Sequence, residues 1–190
     1  MRFLSRLLLI LPLAAALSAR AQVETYRIDP VHTSIGFSIR HFVSRVQGSF
    51  TKVQGSITVD RSDMAKSSAE ATIQAASVFT HVDRRDADLR SPHFFDAAVF
   101  PTLTFKSTSW KQTSENHYDV AGTLTIHGVT KPVVLKVECL GFGTGMRGMK
   151  LSGWHLTTTI DRRDFGISGY QGIVGNDVDI SIDVEADLVK

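Results

Sequence analysis

The sequence predicts an all-β domain, either two stacked antiparallel sheets or a closed barrel, interrupted by a short helical segment around residues 80–95. Three observations carry this prediction. In the C-terminal segment Val178, Ile180, Ile182 and Val184 alternate with Asp179, Ser181, Asp183 and Glu185. A period of two makes a strand with one apolar and one wet face. About eight segments share such a pattern, and turn signals separate them at regular spacing, as in sandwiches and barrels. The apolar faces must meet in either architecture. A packed sandwich core does no chemistry, whereas a barrel interior can hold an apolar guest.

The first 21 residues read as a leader rather than as fold. Arg2 and Arg6 form a basic start, Leu7 to Leu17 is an apolar run broken by Pro12, and Ala19-Arg20-Ala21 is a small-x-small cleavage site. A secretion signal has this form, so the mature chain is expected to begin at Gln22 and to form one domain over 22–190. The run is shorter than the ~20 residues needed to span a bilayer. No Cys follows the site, which argues against a lipoprotein.

Strands follow in order. Ile35, Phe37 and Ile39 alternate with Ser34, Gly36, Ser38 and Arg40. Gly48 to Thr51 and Ser56 to Asp60 form a second arm, expected to bend at Gly55, where a lone glycine suggests a bulge or corner. Ala69, Ala71, Ile73 and Ala75 alternate with Glu70, Thr72 and Gln74, and their small side chains leave space along one wall. Thr102 to Trp110, His117 to Ile126, Val133 to Gly141, Leu151 to Ile160 and Val178 to Val189 complete the set. His127-Gly128 and the cluster from Gly141 to Gly148 mark hairpin connections. Thr80 to Phe95 is too polar and too long for a strand. Thr80 or Asp83 is expected to cap a short helix through Leu89 that Pro92 ends.

Composition excludes several functions. Cleavage would remove Arg2, Arg6 and Arg20, leaving 18 of the 21 basic residues against 19 acidic ones, a formal charge of −1 instead of +2. There is no basic stripe or interleaved aromatic pattern for nucleic acid. Cys139, the single cysteine, lies in a strand pattern and reads as a buried inert thiol. The histidines at 32, 41, 81, 93, 117, 127 and 155 show no metal-ligand spacing, so no metal site is expected. Gly166-Ile167-Ser168-Gly169-Tyr170 fails the nucleophile-elbow pattern at its last position, and Asp164-Phe165-Gly166 lacks the other kinase motifs. Gly143, Gly145 and Gly148 match dinucleotide-loop spacing, but a strand pattern follows where that loop needs a helix. The doublet Asp83-Arg84-Arg85-Asp86 and Asp161-Arg162-Arg163-Asp164 reads as paired surface salt bridges. No enzyme signature survives. What remains is apolar: 11 phenylalanines and 2 tryptophans, either core filler or lining.

The chain closely resembles the YceI-like proteins. Tyr26-x-Ile28-Asp29-x-x-His32-Thr33-x-Ile35-x-Phe37 with His41 resembles their opening, as do Gly48-x-Phe50 and Gly55-x-Ile57. The centre is more specific: Arg85-Asp86-x-x-Leu89-x-Ser91-x-x-Phe94-Phe95-Asp96, then Phe100-Pro101-x-Leu103-x-Phe105-x-Ser107. Gly122-x-Leu124-Thr125-Ile126-His127-Gly128-Val129-Thr130-Lys131-Pro132 and Asp161-Arg162-x-Asp164-Phe165-Gly166 with Val174-Gly175-x-x-Val178 complete the match in order. Thr33 stands where Ser is commoner, and Ala87-Asp88 stand where the family tends to have an acidic residue and His.

The resemblance implies an eight-stranded antiparallel, lipocalin-like barrel with a short helix, located in the periplasm. It implies a binding protein, not an enzyme, that holds a long isoprenoid or similar amphiphile, such as a polyprenyl quinone, in an apolar channel. No cofactor is required; the bound lipid is the ligand. Ile35, Phe37, Phe50, Phe105, Leu124 and Trp154 are expected to line the channel, and Phe94, Phe95 and Phe100 to close its mouth near the helix. Arg85 and Asp86 are expected to brace the helix. Each buried methylene contributes about 0.8 kcal/mol, so a five-carbon unit contributes on the order of 3–4 kcal/mol before ordering costs. Transient membrane contact is expected, with a monomer or homodimer both open. Two alternatives stand beside the carrier: an enzyme presenting the ligand's reactive end to His41 or His93, and a stress-related interaction protein with a filled core.

Overall fold

The computed structural model describes residues 23–189. The expected signal segment 1–21 and its cleavage site lie outside the described residues. The elements are β1 (Val23–Ile28), β2 (Ser34–His41), β3 (Ser44–Phe50), β4 (Val53–Asp60), β5 (Ser68–Gln74), β6 (Val78–Phe79), α1 (Asp83–Arg90), β7 (Thr102–Ser114), β8 (His117–Ile126), β9 (Val129–Thr144), β10 (Lys150–Asp161) and β11 (Val174–Leu188).

The strands form one antiparallel sheet in the order β1-β4-β5-β7-β8-β9-β10-β11, and β1 pairs again with β11. That second pairing closes a barrel of eight strands. The short strands are not extra staves. β2 prolongs β1 past a corner at Asp29 and Pro30, so that β11 pairs with β2 through Val178–Asp183 and with β1 through Ala186–Leu188. β3 prolongs β4 through Thr51 and Lys52, and β6 prolongs β5 through a 3-10 turn at Ala75–Ser77. Closure pairs the long staves on both sides and leaves the two-residue β6 with a single partner, β3, so little edge is open to another chain.

Local chemistry explains most boundaries. His127 (φ 51) and Gly128 (φ 74) form a two-residue left-handed turn, the geometry that matches strand twist in a tight hairpin. β9 therefore begins at Val129, earlier than the expected Val133, and carries Pro132 opposite Thr123. The expected bend at Gly55 lies instead at Thr51 and Lys52. Gly55 sits within β4, where a Cβ would lie 2.2 Å from the carbonyl oxygen of Glu70, so the residue permits close approach rather than a corner.

Helix α1 begins after Val82, which offers no side-chain cap. The expected caps act otherwise: Thr80 donates through its backbone N–H (2.9 Å) and its hydroxyl (2.5 Å) to Oδ1 of the buried Asp86. Arg85 donates through Nε to Thr80 Oγ1 (2.7 Å) and through Nη2 to the Thr80 carbonyl (2.8 Å). The expected bracing by Arg85 and Asp86 is thus present, with Thr80 as its hub.

The reading of both DRRD runs as surface salt bridges fails at Arg162. That side chain is buried and donates to the carbonyls of Gly175 (2.7 Å), Ile167 (3.3 Å), Gly169 (2.7 Å) and Val174 (3.1 Å). A guanidinium has five N–H donors, which suits it to pin the segment after β10 to the first residues of β11. Arg163 does pair with Asp161 at the surface, 2.6 Å apart.

Two apolar clusters occupy opposite ends of the strands. β7 gives Leu103 to one and Trp110 to the other; β8 gives Ile126 and Val120; β10 gives Ile160 and Trp154. Around Trp154 the closed end is a run of aromatic contacts: Trp110 at 5.7 Å and Phe142 at 5.8 Å, both edge-on. Outside it, Arg61 lies 3.9 Å over the Phe142 ring and donates to Glu24 and the Tyr26 hydroxyl. Cys139 is buried in this end, and burial pushes its thiol pKa up, as expected of an inert cysteine.

Candidate functional site: an apolar cavity in the barrel

Between the two clusters the interior does not close. A cavity of about 500 Å³ is lined almost wholly by apolar side chains from every stave of the barrel. That size is within the range of small-molecule sites, roughly 300–1,000 Å³. Two features of the sequence keep it open. Ala69, Ala71 and Ile73 of β5 face inward, and the alanines cannot reach across to fill the lumen. Glycines also let two rings fold against the wall: a Cβ on Gly48 would lie 2.3 Å from Phe37, and one on Gly122 would lie 2.5 Å from Phe105.

Of the nine residues expected to line the channel or its mouth, the structure brings eight to this cavity: Ile35, Phe37, Phe50, Phe94, Phe95, Phe105, Leu124 and Trp154. Phe37 contacts Phe50 at 5.8 Å, and Phe50 meets Phe95 edge-on at 5.5 Å, which links the wall to the segment after α1. Phe94 packs against Tyr170 at 5.8 Å. Trp154 is completely buried at the closed end, with its indole N–H donated to Ser152 (3.0 Å). Phe100 is a correction. It is not among the lining residues; its ring stands edge-on to His127 at 4.5 Å and occupies the space beside Gly128. A ring next to Pro101, ahead of β7, packs on the β8–β9 turn instead of turning inward.

The sequence reading missed a second group of lining residues. Phe165, Ile167, Tyr170 and Ile173 lie in the segment between β10 and β11, which has no alternation to reveal an inward face. The buried Arg162 holds that segment in place, and Gly166 (φ 75) ends its 3-10 turn in a left-handed conformation that suits glycine. The only available signal was apolar residues in a glycine-rich stretch that satisfied no catalytic motif.

Polar groups concentrate at the helical end. His41, Arg85 and Asp88 reach the cavity wall there. The tip of the β2–β3 hairpin joins this rim, since Phe42 N–H donates to the carbonyl of Ile173 (3.1 Å). Phe42, Val43, Tyr170 and Ile173 leave apolar surface exposed around it, Val43 at 98%. At the opposite end, Trp110 Nε1 is buried with no hydrogen-bond partner among the described residues.

Three histidines stand against carboxylates: His32 with Asp29, His93 with Asp88 and His155 with Asp183. His93 lies 3.2 Å from Asp88 on the surface. Among the described residues one cluster has ligand atoms close enough for a metal: Asp29, His32 and Glu185. It lies at the β1–β2 corner, where Asp29 Oδ2 holds His32 Nδ1 at 2.6 Å and Asp29 Oδ1 accepts the Val31 N–H. The hydrogen bond that the ring donates to Asp29, reinforced by the charges of Asp29 and Glu185, raises the His32 pKa above its ordinary 6.5.

A closed barrel of eight antiparallel strands around an apolar cavity is a barrel of the lipocalin type. The YceI-like domain model matches residues 26–186, and the chain belongs to that family. A UPF0312 protein of Pseudomonas fluorescens is 38% identical over 98% of this chain and all of its own. Among solved structures, a YCEI protein of Campylobacter jejuni is 31% identical with a TM-score of 0.70, covering 80% of this chain and 90% of that one. Burkholderia cenocepacia BcnA (24% identity, TM-score 0.77, 84% and 99% covered) shares the fold. So does a polyisoprenoid-binding domain from Saccharophagus degradans (14% identity, TM-score 0.65, 86% and 98% covered).

Proposed function

We propose that this protein binds and carries an isoprenoid lipid whose chain fills the barrel cavity. The carrying observation is the apolar void itself, which persists where inward side chains of ordinary size would have met. An empty apolar cavity forgoes dispersion contacts on every wall, so a guest that restores them is favoured. A cavity of about 500 Å³ is the size of sites that enclose a drug-sized ligand, which is room for a chain of a few prenyl units. At ~0.8 kcal/mol per buried carbon, less several kcal/mol of association cost, affinity is about micromolar. The Saccharophagus degradans domain of the same fold is described as polyisoprenoid-binding, which supports the ligand class.

The carrier role and the periplasmic location rest on the leader-like sequence of residues 1–21 and on solubility. A free prenyl chain has no stable state in water, so crossing an aqueous compartment requires enclosure. The exposed apolar rim of Phe42, Val43, Tyr170 and Ile173 supports brief docking on a lipid surface to load and unload. We read the protein as a binder rather than an enzyme: His41 reaches the cavity with no ion pair to a carboxylate among the described residues, and His93 stands on the surface with Asp88.

A titration series of prenyl alcohols of increasing length tests this reading. Affinity should rise steeply per unit up to farnesyl or geranylgeranyl length and then level off. No length dependence, or no binding at any length, would remove the proposal.

A further inference from the structure

We infer that the wall of the barrel opens between β9 and β10, and that the prenyl chain enters and leaves the chamber through this seam. The inference rests on the lipid-binding reading above and adds to it the route by which the ligand is exchanged.

A closed wall parts most readily where the fewest bonds have to break. The ladder between β9 and β10 runs from Thr144–Lys150 to Lys136–Thr157 and goes no further. Both strands continue past that point, each with its other neighbour. β9 stays paired with β8 to Val129–Ile126, and β10 with β11 to Asp161–Asp177. The sequence of β9 accounts for the parting. Pro132 has no N–H to give a ladder, and proline within a sheet is confined to edges and bulges. Over residues 129–135, β9 is therefore an edge on its β10 side.

Pairing is interrupted at two other places toward the helical end, and an arginine fastens each. β6 pairs with β3 alone, and Arg90 of α1 donates beside it through Nε to the carbonyl of Ala76 (2.8 Å) and through Nη2 to that of Val78 (3.0 Å). Between β2 and β11 the register slips from Val178 to Val174, and there Arg162 donates to the carbonyls of Gly175 (2.7 Å) and Val174 (3.1 Å). Across the unpaired stretch of β9 and β10, the one side-chain hydrogen bond among the described residues runs from Thr158 Oγ1 to the carbonyl of Val134 (3.0 Å). A single neutral hydroxyl holds less firmly than a guanidinium with two bonds or more. The β9–β10 seam is the weakest of the three.

The surroundings of this latch suit a hydrocarbon. Leu135, Ile160 and Phe165 line the chamber beside the seam, so strands that part there exchange apolar contacts with one another for contacts with the entering chain. Thr158 borders the chamber and also a groove of about 640 Å³ on the outer face, together with Val134, Lys136, Thr157 and Thr159. One side chain thus separates the two spaces at this point. Val134, exposed at 46%, gives the groove an apolar lip.

The test follows uptake and release of geranylgeraniol by stopped flow, through the fluorescence of Trp110 and Trp154 in the chamber wall. Leu135→Cys with Thr158→Cys sets a disulfide across the seam, one residue beyond the last registered pair; Cys139 is buried at the closed end and takes no part. His41→Cys with Val174→Cys bridges β2 and β11, where those residues are register partners. The oxidised seam variant should exchange the alcohol at least tenfold more slowly than the same protein reduced. Oxidation of the second variant should change its rates less than threefold. Slowing in the second variant alone, equal slowing in both, or no slowing in either overturns the inference. Thr158→Val, which keeps the shape and removes the latch bond, should speed uptake and release together about fivefold, the weight of one neutral hydrogen bond. Faster release with unchanged uptake makes Thr158 a mere wall contact and also overturns it. If geranylgeraniol does not bind the unaltered chain, the lipid-binding reading itself falls, whereas binding with exchange unslowed by the seam disulfide removes the seam alone.

Discussion

The indole rings of Trp110 and Trp154 meet edge-to-face, with centroids 5.7 Å apart and planes at 82°, and together they stop one end of the barrel. Edge-to-face pairs of this kind add about 0.5–1.5 kcal/mol beyond area burial. Both rings are buried, so the lumen is packed at this end, while His41, Arg85 and Asp88 reach its wall at the helical one.

Filling the chamber should separate binding from folding. Ala71 faces Phe105 across the β5–β7 pair and lines the cavity. Ala71→Phe should lower affinity for a prenyl alcohol at least tenfold, while thermal unfolding shifts by only a few degrees. The extra ring enters a void, so it gains contacts instead of overpacking. Isothermal titration and a thermal melt of the same preparation check both halves.

Arg162→Met should do the reverse of a surface change. Four carbonyls lose their donor, and the segment carrying Phe165, Ile167 and Tyr170 loses its pin. Stranded buried acceptors cost ~1–3 kcal/mol each; because some regain water, a net loss of about 3 kcal/mol is expected, lowering the melting temperature by roughly 6–12 °C. Circular dichroism melts read this directly.

The corner clamp gives a signed pH prediction. The hydrogen bond between Asp29 and His32 raises the histidine pKa and lowers that of the aspartate. The His32 contribution is complete below its unfolded pKa and disappears as pH rises through the raised folded value. The Asp29 contribution is present above its unfolded pKa and is lost as pH falls through the lowered one. The clamp is therefore strongest between the two, in mildly acidic solution. An NMR titration should place the His32 midpoint above 6.5, and Asp29→Asn should return it toward that value.

Docking on lipid should depend on the hairpin tip. Phe42 and Val43 are exposed at 57% and 98%, and Arg40 and Arg45 flank them. Replacing both apolar residues with Asp should abolish co-sedimentation with anionic vesicles and slow ligand transfer between vesicles, while affinity for a short prenyl alcohol stays unchanged.

How much of this was legible in the sequence follows from periodicity. Ile35, Phe37, Phe105 and Leu124 sit in alternating strands, so their inward direction could be read one residue at a time. The alanines of β5 likewise announced space before any cavity was seen. Phe100 could not be placed, because a residue in a loop before Pro101 has no period to orient it. Arg162 was misread for a related reason: a charged run looks solvated unless the carbonyls it serves are known, and those come from residues up to 13 positions away. β1 was not among the expected strands, although in the fold it forms one stave with β2, bent at Asp29 and Pro30.

The central claim is that the chamber holds a prenyl chain. The most direct measurement is organic extraction of the protein, purified without detergent from its native host, followed by mass spectrometry beside Ala71→Phe prepared identically. The account predicts a prenyl lipid near one per protein, much reduced in the substituted chain. Protein that yields no prenyl lipid and takes none up on incubation, or equal lipid from both chains, would contradict it.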